Sequence, residues 1–299
     1  MSNLPAIEPG WVELPADEYH GLRAVSSGLL NAYRASPLHG AHYMKREDRS
    51  TEAQEIGTAT HLAVLEPDLF PSRVLMEPTY PDGSPYAGAK RNTNEFKDAI
   101  KAALAEHPGA LILNPFDYRL VLALRDAVHA SDEPDAVEAR EILARCDRRE
   151  ATALWVDAET RLLCKARFDA FGAGIAADLK TARNAGRYGF AAEAAKSGYP
   201  IQRAWYERAA EEMGEPVADF PYIVVSKAYP IHVQVYRFDA EWMAWAHGEA
   251  RRLLDLHAEC VRTNRWPAPR GGVLAAPRWL LNGSEAPEDG AETQEEWTL

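Results

Sequence analysis

The sequence has little cysteine, and the cysteines it has lie far apart. Among its 299 residues there are three, Cys146, Cys164 and Cys260. The number is odd and no pair has the CxxC spacing, so neither a disulfide framework nor a cysteine-rich metal cluster is indicated. A reducing compartment, the cytoplasm, is the expected location.

Long apolar runs and a secretory leader are also missing. No stretch approaches the roughly 20 apolar residues that a membrane-spanning helix needs. The first residues, Met-Ser-Asn-Leu-Pro-Ala-Ile-Glu, have no basic segment followed by an apolar one, so we expect no secretory signal. These absences predict a protein with no membrane partner.

An excess of basic residues is the third absence. The chain has 33 Lys and Arg against 45 Asp and Glu, a net charge of -12, which by itself argues against a nucleic-acid partner. Half of that charge comes from six acidic residues after Asn282, where there is no Lys or Arg. Phosphate binding therefore has to be argued from local basic groups and metal ions.

The composition that remains is globular, with 46% hydrophobic residues. We expect a mixed α/β fold in one domain, residues 26–282, preceded by an extended segment, 1–25, and followed by a disordered acidic tail, 283–299. Within the domain, 26–147 is predicted to be mainly helical and 148–263 to form the catalytic core. A loop is predicted over 77–94 from its Pro and Gly content.

Local patterns predict the individual elements. Ser26 or Ser27 is a favoured N-cap for a first helix, which Ser36-Pro37 should end. Further helices are predicted over 52–66, 94–106, 115–130, 134–146, 186–197, 200–213 and 239–263. Strands are predicted over 151–157, 161–171, 175–180, 220–227 and 232–238, the first two joined by the turn Ala158-Glu159-Thr160.

Three charged residues near the predicted third strand carry the first chemical signal. Asp178 and Lys180 are two residues apart on a strand and so share one face, and Asp169 can reach that face from the neighbouring strand. Carboxylates suit Mg²⁺, which bridges to substrate phosphates, and the Leu179 carbonyl could be a further ligand. The alternative is an ordinary Asp–Lys ion pair on an exposed strand, because this tripeptide is common.

Two helices carry weaker signals. His61 lies on an otherwise apolar helix, where the small residues Gly57 and Ala59 permit close approach to another backbone. It suits a metal ligand, but also a hydrogen-bonded core histidine. Gln202 and Tyr206 are four residues apart and share one helix face, where they could orient a phosphate or a water, or simply mark a partly buried helix.

The order of these pieces resembles a known family. The pattern G-T-A-x-H (57–61), R-x-D (167–169), D-L-K-T (178–181) and G-Y-x-x-Q-x-x-x-Y (198–206) is similar to the RecB-like branch of the PD-(D/E)XK nucleases. The resemblance is greatest to RecE-type (exonuclease VIII) phage and prophage exonucleases. It runs from about Val25 to Leu281 and includes Asn264-Arg265-Trp266-Pro267.

The resemblance implies a restriction-endonuclease-like core with a helical N-terminal extension, and it implies specific roles. Asp169 and Asp178 would bind metal with His61 and the Leu179 carbonyl, Lys180 would be the motif lysine, and Gln202 and Tyr206 would match the helix motif. The sequence departs from the pattern where Ser226-Lys227 replaces an acid-lysine pair, and in lacking the iron–sulfur cysteines of some relatives.

The implied activity is Mg²⁺- or Mn²⁺-dependent hydrolysis of linear double-stranded DNA in the 5′→3′ direction, with one or two ions per site, in phage-type recombination. A ring-like trimer or tetramer and a single-strand annealing partner are implied as well. Alternatives are a nuclease for single-stranded or flap DNA, a catalytically silent DNA-binding scaffold, and a metalloenzyme with another substrate.

Several basic residues near the motif are candidates for holding DNA phosphates without reading sequence. They are Lys90, Arg91, Arg183, Arg187 and Arg203. Each of them could equally be a solvated surface charge.

Overall fold

The computed structural model describes residues 8–45, 52–80, 84, 86, 88–273 and 275–276. Within them the helices are α1 (Ala16–Gly21), α2 (Ser27–Ala35), α3 (Pro37–Tyr43), α4 (Glu52–Leu65), α5 (Phe70–Arg73), α6 (Asn94–Glu106), α7 (Pro115–His129), α8 (Pro134–Arg145), α9 (Arg187–Ser197), α10 (Tyr199–Glu212) and α11 (Ala240–Thr263), with a 3₁₀ helix at Gly88–Asn92. The strands are β1 (Gly10–Val12), β2 (Val74–Met76), β3 (Leu111–Leu113), β4 (Arg148–Val156), β5 (Leu163–Gly172), β6 (Ile175–Ala182), β7 (Tyr222–Ser226) and β8 (Val233–Tyr236).

A six-stranded mixed sheet with the order β1-β4-β5-β6-β7-β8 forms the centre of the fold. Its neighbouring strands are antiparallel, except that β6 and β7 are parallel. Strands β2 and β3 form a separate parallel pair. This architecture confirms the predicted α/β class and its central mixed sheet.

Helices cover both faces of the sheet. Apolar residues of α2, α10 and α11 form one core with one sheet face, and those of α4, α7 and α8 form a second core with the other. Along β6 the side chains alternate, so Ala176 and Ala182 belong to the first core and Leu179 to the second. Asp178 and Lys180 therefore face the α10 side, while Leu179 faces the α4 side.

The N-terminal part departs from the predictions. The segment predicted to be extended contains β1, which pairs with β4, and the short helix α1. Ser36-Pro37 ends α2, as predicted, but Pro37 also begins α3, because the Ser36 hydroxyl accepts the His39 backbone N–H at 3.3 Å as an N-cap. Proline is tolerated in the first turn of a helix, so one proline both stops and starts helical structure.

Elsewhere the predicted elements appear in the predicted order. Ser26 caps α2 by accepting the Leu29 backbone N–H at 3.3 Å, and β4 and β5 form the predicted hairpin. Strand β4 begins at Arg148, three residues before the predicted start. The predicted acidic tail lies outside the described residues, as do Leu281 and parts of the loop predicted over 77–94. No described helix is long and apolar enough to cross a membrane.

Candidate metal centre

The candidate site lies where β5 and β6 separate. These strands pair at Ala170–Ala177, Phe171–Ala176 and Gly172–Ile175, and the next opposed positions are Asp169 and Asp178. Beyond that point the edge of β6 that faced β5 needs new hydrogen-bond partners. The Asp169 Oδ2 atom accepts the Leu179 backbone N–H at 2.8 Å and so takes the place of a strand partner.

His61 reaches this gap from α4. Its Nε2 donates to the Leu179 carbonyl oxygen at 2.7 Å, and its Nδ1 lies 3.5 Å from Asp169 Oδ2. Because the carbonyl only accepts, Nε2 carries the hydrogen, and Nδ1 faces a carboxylate oxygen, so that nitrogen and that oxygen could bind one metal cation together. Gly57 is not required for close approach, since a Cβ there would lie 4.0 Å from Thr181 Oγ1, an ordinary contact.

Asp178 lies on the α10 side of β6 and is buried, with 1% of its surface exposed. Its Oδ1 accepts a hydrogen bond from Gln202 Nε2 at 2.9 Å, and Gln202 also lies 3.4 Å from the Tyr206 hydroxyl. Its Oδ2 forms an ion pair with the Lys180 ammonium, which lies 4.7 Å from the centre of the Tyr199 ring. The structure thus brings the predicted helix pair, Gln202 and Tyr206, to the predicted strand pair.

Burial sets the electrostatics of this pair. It raises the pKa of Asp178 to about 6, against the lowering effect of the Lys180 ammonium and with the added repulsion of Asp169. Burial alone would lower the pKa of Lys180, but the Asp178 and Asp169 carboxylates outweigh it and raise that pKa. The Lys180 ammonium therefore neutralises only part of the negative charge of the Asp169 and Asp178 carboxylates.

Glu150 is a site residue that sequence reasoning missed. Ligand atoms of His61, Glu150 and Asp169 lie within 4.8 Å of one another, a spacing at which they could hold one metal ion. The flanking pairs Arg149–Ala170 and Ala151–Phe168 put Glu150 opposite Asp169. The predicted turn at 158–160 would pair Glu150 with Phe168 and not with Asp169, and the strand was predicted to begin only at residue 151.

Glu150 is also electrostatically strained. Burial, followed by the nearby Asp169 charge, raises its pKa to about 7, and Glu66 contributes a smaller repulsion. The Glu66 carboxylate lies close enough to raise the pKa of Glu150. It is outside the cluster of possible metal ligands found among the described residues.

The basic residues predicted to hold DNA have different surroundings. Arg183 and Arg187 are exposed just after β6. Arg91 pairs with Glu77, and the Lys90 ammonium lies 5.3 Å from the Tyr80 ring centre. Arg203 is held by Glu207 at 2.7 Å and by the Phe238 carbonyl at 3.5 Å, which is a structural arrangement. DNA contact by these five residues stays a prediction.

The donor set fits a hard divalent cation. Carboxylate oxygens, a backbone carbonyl and one imidazole suit Mg²⁺ or Mn²⁺. Glu150 and Asp178 both have raised pKa values, because burial and the neighbouring Asp169 carboxylate disfavour their ionised forms, so a positive charge at the site would stabilise them. A bound cation would supply that positive charge.

Comparisons with known proteins agree with the fold. A crystal structure described as a "Putative exonuclease" from Eubacterium rectale matches with a TM-score of 0.50 and 13% sequence identity, covering 91% of this chain and 98% of that one. At this identity the likeness shows the fold alone. A search of curated proteins gave no match. The family model "PDDEXK-like domain of unknown function (DUF3799)" matches residues 26–274, which is most of the chain. The chain therefore belongs to this PDDEXK-like family, and the predicted membership of the PD-(D/E)XK superfamily is confirmed.

Proposed function

We propose that this protein is a divalent-metal-dependent deoxyribonuclease that hydrolyses phosphodiester bonds. The observation that carries the proposal is the convergence of His61, Asp169 and the Leu179 backbone where β5 and β6 separate, with Asp178 and Lys180 on the next stretch of β6. Membership of the PDDEXK-like family supports it, as does the superfamily's general use of divalent metals.

The side chains suggest a division of roles. Asp169, Asp178, His61, Glu150 and the Leu179 carbonyl would hold one or two Mg²⁺ or Mn²⁺ ions. When bound, such an ion activates water and stabilises negative charge on phosphate.

The remaining polar groups would act from α10 and β6. Gln202 fixes the orientation of Asp178 through its hydrogen bond, and the Tyr206 hydroxyl lies beside Gln202. The Lys180 side chain is 17% exposed, and its ammonium would bind a non-bridging phosphate oxygen or orient the attacking water.

The preferred substrate in this proposal is linear double-stranded DNA degraded from an end in the 5′→3′ direction. The resemblance to RecE-type exonucleases supports it, and so does the structural neighbour described as a "Putative exonuclease". Exposed Arg183 and Arg187 supply positive charge at the end of β6 for the phosphate backbone. A ring-like oligomer and an annealing partner are further parts of the proposal.

Digestion of defined DNAs tests the proposal. We expect the purified chain to degrade linear duplex in Mg²⁺, to spare closed circles and to do nothing in EDTA. Asp178→Asn and Lys180→Met should lower the rate by about 100-fold or more, since each removes a group placed to hold the ion or the phosphate. Glu159→Gln is the control, because that side chain is 72% exposed on the hairpin turn.

Several outcomes would contradict this. Cleavage in EDTA, or full activity in both site variants, would overturn the site assignment. Preference for single-stranded or flap DNA would keep the metal-dependent nuclease and change its substrate. Absence of any cleavage with either ion would favour a silent scaffold.

A further inference from the structure

Arg167 is a buried cation close to the site with no role so far. It lies on β5, two residues before Asp169, and is 9% exposed. Its Nε donates to Thr152 Oγ1 at 3.0 Å, and one Nη donates to the Leu14 carbonyl. The guanidinium also lies 4.4 Å from the centre of the Tyr19 ring.

These contacts fix the guanidinium without neutralising it. A hydroxyl, a carbonyl and an aromatic face are uncharged, so the positive charge remains available to an acid. The acid that the described part of the chain provides is Glu150, whose Oε2 lies 3.9 Å from Arg167 Nε. This distance is that of an ion pair and not of a hydrogen bond.

Glu150 needs such a constraint. Its side chain is 34% exposed, and its backbone φ is 48°, an uncommon value for a residue other than glycine. A conformation of this kind persists where the surroundings hold it. Arg167 faces Glu150 from the paired strand, where Arg167 lies opposite Thr152.

We propose that Arg167 is a positioning residue, which holds the Glu150 carboxylate against His61 and Asp169 so that these groups bind one divalent cation together. The inference rests on the proposed function and extends it to the N-terminal segment. Leu14 and Tyr19 belong to that segment, so chain far from the motif would complete the site.

The sign of one effect separates positioning from simple charge. Removing a cation beside a metal site strengthens metal binding if only electrostatics matter. Removing the group that places a ligand weakens metal binding, typically by 10- to 100-fold for groups around the ligands. Arg167 therefore has opposite predicted effects under the two accounts.

Lys165 provides the matched control. It lies on the same face of β5 and is 6% exposed, and its ammonium donates to the Tyr19 and Leu22 carbonyls at 2.6 and 2.9 Å. It anchors the same N-terminal segment and contacts the same ring, at 4.5 Å. It pairs with Leu154, farther along the hairpin from Glu150.

The experiment is a Mn²⁺ titration of the full chain, with thermal melting of each variant. We expect Arg167→Met to raise the Mn²⁺ dissociation constant about tenfold. Arg167→Lys should restore part of the affinity, and Lys165→Met should stay within about twofold of the wild type. In a Glu150→Gln background, Arg167→Met should have little further effect, because both changes act on one ligand.

Unchanged or tighter Mn²⁺ binding in Arg167→Met would overturn the inference, and so would equal weakening in Lys165→Met. Should Arg167→Met fail to fold, Arg167→Lys carries the test, since full wild-type affinity there would contradict the need for a guanidinium. A wild-type chain that binds Mn²⁺ and cleaves DNA while these variants behave like the control sinks this inference alone. A wild-type chain that does neither sinks the proposed function as well.

Discussion

At the scale of single residues, the Asp178–Lys180 pair shows how a common tripeptide acquires chemistry. The two side chains form the ion pair that the purely structural interpretation of Asp-x-Lys predicts. It differs from that interpretation in being buried, with Asp178 1% exposed and held by Gln202. Burying charge costs free energy unless the charge is compensated, so this buried and hydrogen-bonded pair is not an ordinary surface ion pair.

A second buried titratable residue gives a prediction about stability. His257 is 5% exposed and its Nδ1 lies 2.7 Å from the Tyr33 hydroxyl. Burial lowers its pKa from 6.5 to about 4. Between these values the unfolded chain takes up the proton and the folded chain does not, so stability falls as the pH falls.

We expect this histidine to cost about 2 kcal/mol of folding stability between pH 8 and pH 5, because at pH 5 the unfolded imidazole is protonated and the buried one is not. Urea unfolding of the wild type and of His257→Gln at both pH values measures it. The loss specific to the wild type should be missing in the variant. Parallel losses in both proteins would mean that other groups account for the acid sensitivity.

At the scale of elements, three pieces of chain meet at the gap between β5 and β6. Helix α4 supplies His61, helix α10 supplies Gln202 and Tyr206, and the hairpin supplies Glu150 and Asp169. Each is held by a hydrogen bond or an ion pair described above. The site therefore depends on the packing of both helices against the sheet.

The turn of the β4–β5 hairpin is anchored to α10 and α11 through one buried acid. Asp157 is fully buried, accepts the Thr160 N–H and hydroxyl at 2.8 and 2.7 Å, and pairs with Arg208 and Arg251 at 2.7 and 3.0 Å. We expect Asp157→Ala to lower the free energy of unfolding by about 3–5 kcal/mol, as for other broken buried pairs. Urea denaturation measures the change.

Glu159 is the control for that measurement. It contacts the same Arg251 at 3.7 Å but is 72% exposed, so Glu159→Ala should change stability by less than about 1 kcal/mol. Similar losses in the two variants would show that the buried network adds nothing beyond a surface pair.

Sequence patterns predicted the elements with strong local signals. Ser26, the hairpin turn and Gly198, which separates α9 from α10, all act within a few residues, so their effects could be predicted from local sequence. Helix α3 was not predicted, because Ser36-Pro37 was interpreted only as the end of α2 and not also as the start of another helix. Strand β1 was missed because its partner, β4, is more than a hundred residues away in sequence.

At the scale of the whole molecule, the candidate site could be predicted only in part. His61, Asp169, Asp178 and Lys180 were found through the order of motifs along the chain. Glu150 was not, and Arg167 entered only as the arginine of R-x-D (167–169) with no role, because the roles of both depend on which atoms meet after folding. Strand register and the path of the N-terminal segment decide that, and neither has a motif.

The overall charge does not describe the surroundings of the candidate site. Of its net charge of -12, half lies after Asn282, outside the described residues. The groups proposed to act on a nucleic acid are local, namely the carboxylates at the gap, which would hold a cation, and the exposed Arg183 and Arg187 just after β6. The proposed nuclease activity therefore rests on family membership and on this local geometry, and not on the net charge.

The most direct test of the account is anomalous diffraction from crystals soaked in Mn²⁺. The account predicts a peak in the gap between β5 and β6, with ligands from Asp169, Asp178, His61 or Glu150 and the Leu179 carbonyl. A soak that fills other sites and leaves this gap without a peak would contradict it, because the proposed chemistry requires a cation there.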